Sequence, residues 1–190
     1  MNRPDPCALT EKEMRILERL DAAVSSPGAR EALARIAARV EETLRRGAEA
    51  IEAWEVVPLD VYGEGLPSDV GSSWIFVLRH GVTTGAERHP NSRQRMVTWS
   101  GGGDFQVHDG ERWRSHLLAV PSERPLEDRW ISIPPDTWHQ GVVSGEDWVV
   151  VSFHTVPAEE LVEERPDPAD SDPFRPQRTR RRRYVEVKQA

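Results

Sequence analysis

A mainly β fold behind an N-terminal helical segment is what these 190 residues predict. From Trp54 onward short apolar runs alternate with turn signals; before it, apolar residues recur at helical spacing; after Glu164 the chain becomes rich in Pro and Asp. Many short strands with regular turn punctuation indicate a sandwich or barrel rather than an alternating α/β fold. The chain therefore divides into a helical segment over 1–53, a β-barrel over 54–157 and a Pro/Arg-rich tail over 158–190.

Thr10 followed by Glu11, Lys12 and Glu13 has the form of a helix start, a hydroxyl cap with acids in the first turn. Leu17, Leu20 and Val24 then recur at helical spacing until SSPG at 25–28 breaks the pattern. A second helix is expected over about 29–52, with Leu33, Ile36, Val40, Leu44 and Ala48 along one face and charges on the other.

The runs WEVVPLDVY, WIFVLRH, RMVTW, DFQVH, RWRSHLLAV, RWISI, HQGVV and DWVVVSFHTV read as the strands. Between them lie GEGLPSD, SGGGD, HDGE, PSERPLED, PPD and SGED, and Asp109-Gly110 is a tight-hairpin signal. The tail RPDPADSDPFRPQRTRRRRYVEV lacks the apolar content for a core of its own, so it is a solvated extension or wraps an acidic surface of this body or of a second subunit. YVEV at 184–187 could add an edge strand there.

Composition narrows the function classes. Hydrophobic content is 37% and charged content 30%, which suits a globular chain. Net charge is −7 although Arg178 and Arg180–Arg183 crowd the tail, so the body is more acidic than the total, which argues against nucleic acid as a partner. Cys7 is the single cysteine and asks for no oxidising compartment. The N-terminus lacks the apolar run of a signal peptide, and WIFVL and WVVV are too short to cross a bilayer, so no membrane partner and a cytoplasmic location are expected.

Residues 81–94, GVTTGAERHPNSRQ, bring chemistry to this frame. Residues two apart on a strand share a face, so Glu87 and His89 point to the same side. Pro90-Asn91-Ser92 supplies a turn, and Gln94, Met96 and Thr98 alternate along the next strand. His139 stands at the head of a later strand, and closure of a barrel would let Glu87, His89, Gln94 and His139 converge. His80, His108, His116 and His154 have no such spacing and read as structural or exposed. Trp74, Trp99, Trp113, Trp130 and Trp148 read as packing residues, whereas Trp138, beside His139, could wall a site. Alternation turns Arg93 and Arg95 outward and leaves Arg79 as the better candidate for an anionic substrate.

The spacing resembles that of the cupin superfamily. Its first motif is a glycine, five residues, His-x-His, three or four residues, Glu, six residues and a glycine. Here Gly81 is followed by five residues, Glu87-Arg88-His89, four residues, Gln94, six residues and Gly101. The second motif's Pro-x-Gly, two residues and His appears as Pro134-Pro135-Asp136-Thr137-Trp138-His139, with Asp in place of Gly. Asp128 and Val143 stand where that motif has its leading Gly and closing Asn.

The resemblance covers roughly 54–155 and implies a cupin-like double-stranded β-helix, or jelly-roll, barrel. It also implies a metal held by Glu87, His89 and His139, with Gln94 as a fourth ligand or as the group that orients the bound species. Two imidazoles and a carboxylate suit non-haem Fe(II) and also accept Zn, Mn or Ni. The expected function is that of a metal-binding cupin acting on a small organic molecule, foremost as an Fe(II)-dependent oxygenase or dioxygenase. Metal-dependent isomerase or lyase chemistry and a non-catalytic ligand-binding cupin are the alternatives, with Arg79 and Trp138 as substrate contacts. A homodimer is expected from the habit of such barrels.

Overall fold

The computed structural model describes residues 4–120 and 124–166, together with the backbone of 185–186. Among the described residues two helices, α1 (Glu11–Ser25) and α2 (Pro27–Arg46), precede eleven strands. These are β1 (Glu52–Val56), β2 (Ser72–Leu78), β3 (Val82–Thr83), β4 (Gln94–Ser100), β5 (Gly102–His108), β6 (Trp113–Arg114), β7 (Leu117–Ala119), β8 (Trp130–Ile133), β9 (His139–Val143), β10 (Trp148–His154) and β11 (Val185–Glu186). None of the described helices is long and apolar enough to cross a membrane.

Helix α1 begins as the sequence suggests, with Thr10 Oγ1 accepting the Glu13 N–H at 3.2 Å. Ser26 ends α1 through its N–H to Ala23 O and caps α2 with its hydroxyl, while Pro27 supplies the preset φ of a first helical residue. Helix α2 stops at Arg46 rather than continuing to 52. Gly47 N–H turns back to Thr43 O and Leu44 O, and the Arg79 guanidinium donates to Leu44 O at 2.7 Å, Gly47 O at 2.9 Å and Ala50 O at 2.7 Å. These bonds satisfy carbonyls that another helical turn would have used. Ala48, expected on the apolar face, lies past the helix end and is exposed.

The first sheet has the order β11-β1-β2-β10-β4-β8 and the second β3-β9-β5-β6, with β7 also on β5. Described pairings are antiparallel except β11 on β1, where Val185–Glu186 of YVEV form an edge strand; Tyr184 and Val187 lie outside the described residues. The arginine run of the tail falls outside the described residues. Two facing antiparallel sheets behind a short helical segment are the expected jelly-roll architecture.

The helices cover the outer face of the first sheet. Leu17, Leu20, Leu33 and Val40 form one core with Ile75, Val77, Val97, Val149, Val151 and Phe153. A second core holds Leu78, Met96, Phe105, Val107, Ile131, Ile133, Trp148 and Val150. Alternate residues of β10 belong to different cores, and both its faces are buried from Trp148 to His154. Burial on both faces is why that strand reads as a continuous apolar run, WVVV, instead of an apolar/polar alternation.

Three of the six positive-φ positions among the described residues fall at motif residues. Gly81 and Gly101 have φ of 72° and 71°, and a Cβ on Gly101 would lie 2.5 Å from Asp147 O. Asp136 also has a positive φ, 62°, at the place where the motif has glycine. Aspartate is among the few other side chains that tolerate this region, so the turn into β9 survives the replacement.

Candidate metal centre

Backbone pairing builds the site before any side chain does. Glu87 N–H donates to His139 O at 2.9 Å and His139 N–H to Glu87 O at 2.8 Å, an isolated antiparallel bridge that sets the two residues side by side. His89 O accepts the Asp136 N–H at 3.0 Å, so the turn before β9 also fixes the segment before β4. One donor atom each from Glu87, His89 and His139 lies within 4.8 Å of the others. The expected trio does converge.

The protons on these rings are assigned by their partners. His139 Nδ1 lies 2.9 Å from Thr137 O and His89 Nδ1 lies 3.2 Å from Val162 O. A carbonyl only accepts, so each Nδ1 carries the hydrogen and each Nε2 keeps a lone pair. His139 Nε2 is buried with no hydrogen-bond partner and stands 3.5 Å from Glu87 Oε1, too far for a good hydrogen bond. Gln94 donates through Nε2 to Ser152 Oγ at 3.2 Å, and its Oε1 is likewise buried without a partner. Buried acceptors left unmatched are costly and rare. A cation would answer them, and outer carbonyls orienting ring N–H groups are the usual support for metal-bound histidines.

His154, read from the sequence as structural or exposed, is buried beside this cluster. Its ring centroid is 4.8 Å from that of His89, its Nδ1 is 3.3 Å from Ser92 Oγ, and it is 2% exposed. It sits opposite Gln94 across the β4–β10 ladder. The signal was available: Trp148, Val150, Ser152 and His154 share one face by strict alternation, and a polar pair ends that face.

Charge reaches the site from the C-terminal side. After β10 the chain folds back, and Glu164 pairs with Arg88 through two backbone bonds of 3.0 Å. Asn91 holds the same strap through Glu160 O at 2.7 Å and Val162 N–H at 3.1 Å. Arg165 then donates to Glu87 Oε2 at 2.6 Å and to Glu163 at 2.7 Å, and lies 3.8 Å from Glu52. Burial works to raise the Glu87 pKa, but the Arg165 guanidinium at its far oxygen opposes it and the carboxylate stays ionised well below its ordinary range. Burial, aided by His139, pushes His89 down to about 4, and burial with His89 and His139 beside it holds His154 well below 6.5. His89 and His154 are therefore neutral at pH 7, the form in which imidazole binds metals.

Two expected substrate contacts lie elsewhere. The Arg79 guanidinium is engaged by the carbonyls that close α2, so it is no substrate clamp. Trp138 is covered by the Arg88 guanidinium at 4.8 Å and borders a surface pocket of about 410 Å³ with Pro4, Asp5, Pro6 and His108. Arg95 does turn away from the interior, yet it is only 2% exposed because α1 covers it and Glu13 accepts its Nε–H at 2.6 Å. Arg93 donates to Ser132 Oγ at 3.0 Å.

No protein-family model matches the chain, and no curated protein matches it. Solved structures do. An oxalate oxidase in complex with the substrate analogue glycolate is 14% identical with a TM-score of 0.45, over 60% of this chain and 56% of that one. The oxalate decarboxylase of Lactobacillus farciminis, as its formate complex, gives 14% and 0.45 over 60% of this chain and 30% of that one. Procruciferin, an 11S globulin from Brassica napus, gives 14% and 0.41 over 49% and 22%. The match spans between about a fifth and just over half of those chains. These likenesses concern fold alone.

Proposed function

We propose that this chain, a cupin in its fold, binds a divalent metal through Glu87, His89 and His139 and acts on a small organic molecule, foremost as a non-haem Fe(II)-dependent oxygenase. The observation that carries the reading is the pair of buried imidazoles whose Nδ1 positions face backbone carbonyls, leaving Nε2 lone pairs beside an ionised carboxylate. Two histidines and one carboxylate favour Fe(II) with open coordination positions, and Zn, Mn or Ni would also bind. An Fe(II) ion there would supply Lewis acidity and one-electron chemistry with dioxygen.

The protein's own part is orientation and exclusion of water. Thr137 O and Val162 O hold the two rings in one tautomer, and Arg165 holds the Glu87 carboxylate from its far oxygen. Gln94, its amide fixed by Ser152, offers Oε1 as an acceptor for a bound water or substrate hydroxyl. Phe105, with its ring 5.5 Å from that of His139, closes the apolar side.

Elemental analysis of protein purified without added metal or chelator, beside His139→Ala and Glu87→Ala, tests the centre. Near-stoichiometric metal in the parent, lost from both variants, is expected. No metal after anaerobic reconstitution with Fe(II) would overturn the reading. Dioxygen consumption with candidate substrates then separates an oxygenase from an isomerase or lyase.

One observation favours a non-catalytic binding role: Arg165 already neutralises Glu87 at 2.6 Å without any ion. Under that reading the parent stays metal-free and the Glu87→Ala variant loses stability instead of metal. A homodimer is part of the proposal, and a light-scattering mass near the 21.5 kDa of one chain would remove it.

A further inference from the structure

A second cluster lies where the N-terminal segment crosses β5 and the loop before β7, with Cys7 packed into the second core. Asp5, Cys7 and His116 each bring one donor atom to within 4.8 Å of the others. The sequence reading gave none of the three a role in binding.

The hydrogen-bond pattern around them is that of supported ligands. His116 Nδ1 is 3.1 Å from Phe105 O, so it carries a hydrogen, and Nε2 meets Asp5 Oδ2 at hydrogen-bond distance, 2.9 Å. A proton closes that contact in the ion-free protein, and a metal ion would take the proton's place. The other carboxylate oxygen, Asp5 Oδ1, accepts the Cys7 N–H at 2.8 Å, which turns Oδ2 toward the ring. Both atoms that would not touch an ion are thus engaged by the backbone. Cys7 is 7% exposed and presents sulfur from the third side.

We propose that Asp5, Cys7 and His116 form a second metal site that takes Zn(II), or another thiophilic divalent ion, with a solvent molecule as the fourth ligand. Zinc–ligand distances of about 2.0–2.3 Å in tetrahedral geometry set neighbouring donors roughly 3.3–3.7 Å apart, compatible with this cluster after small adjustments. Sulfur, imidazole and carboxylate together select a softer ion than the Glu87 centre, whose donors are nitrogen and oxygen only. Asp5 also lines the surface pocket of about 410 Å³. Binding converts the Cys7 thiol to a metal thiolate and displaces the proton between His116 and Asp5, so two protons go to solvent. Burial and the neighbouring Asp5 push the Cys7 thiol up, so without an ion it stays protonated. The ion would tie residues 5–7 to the barrel wall.

The test is a titration of the full chain with Co(II), which reports thiolate ligation by a near-ultraviolet sulfur-to-cobalt charge-transfer band. It is run on a His139→Ala background so that failure of the Glu87 reading leaves it interpretable. One equivalent bound with that band is expected, and Cys7→Ser on the same background should lose both. His116→Ala should lose them too, and circular dichroism confirms that each variant folds. Absence of the band in the His139→Ala protein with Cys7 reduced would overturn the proposal and leave an Asp5–His116 ion pair.

Discussion

On the outer face of the first sheet, buried charge meets its partner; inside the barrel, buried acceptors do not. Arg95 faces Glu13 at 2.6 Å and Asp69 at 2.8 Å, while Arg129 and the Trp130 indole both donate to Asp21. Some of these groups are as buried as the histidines within, since Arg95 is 2% exposed and His139 1%. Yet His139 Nε2 and Gln94 Oε1 lack partners. Burial alone therefore does not mark a functional group in this chain. The balance of donors against acceptors does, because a closed network needs nothing further and an open one awaits a ligand.

Cutting one network of each kind is the strongest way to break this contrast. Arg95→Ala leaves Glu13 without its buried cation and should cost about 3–5 kcal/mol in urea unfolding, with metal content unchanged. His139→Leu removes an unanswered acceptor at similar volume and should move the stability of chelator-treated protein by about 1 kcal/mol or less. A large loss in both would make His139 an ordinary structural residue.

Acid should take the two regions apart in sequence. His89 and His154 have lowered pKa values in the fold, so the unfolded chain binds more protons below 6.5 and stability falls with pH. For His89 that loss runs from 6.5 to about 4 and amounts to roughly 3 kcal/mol. Glu13 and Asp21 are opposed by burial but lowered by Arg95 and Ser132, and by Arg129 and Trp130, respectively. Their contribution is intact above ordinary values of 4.5 and 3.8 and is lost as pH falls toward their lower folded values. Chelator-treated protein melted across this range should weaken in an earlier histidine phase and a later carboxylate phase, and His154→Gln should shrink only the first.

Smaller changes sharpen the same comparison. Arg165→Met frees the Glu87 carboxylate and should weaken metal binding by about 10–100-fold in calorimetry; tighter binding would show Arg165 to be a competitor for Glu87. Thr10→Ala removes the α1 cap on the outer face and should cost about 1 kcal/mol with metal affinity unchanged.

What could be read beforehand follows the same division. Strand alternation and turn residues are local, so the sheets, the capped helices and the trio of Glu87, His89 and His139 were legible. The His154 face was equally legible by alternation and was passed over for want of a motif. Arg79 misled because its partners, the carbonyls closing α2, lie some thirty residues away in sequence. Arg95 appeared solvent-facing because alternation tells inside from outside of a sheet but says nothing of a helix laid over it. Arg165 left no trace, since a Pro- and Asp-rich stretch signals the lack of a core and not where the segment docks.

That docked stretch imposes an order on the protein's manufacture. The hydrogen that fixes His89 is held by Val162, and the guanidinium that fixes Glu87 belongs to Arg165, more than seventy residues later in sequence. During synthesis the two sheets, apart from β11, can assemble from residues up to 154 while the ribosome still encloses the strap. The candidate ligands Glu87 and His89 then exist without their settings, which are complete only after residue 165 has emerged. Clipping the chain between His154 and Val162 would return the barrel to that adolescent state.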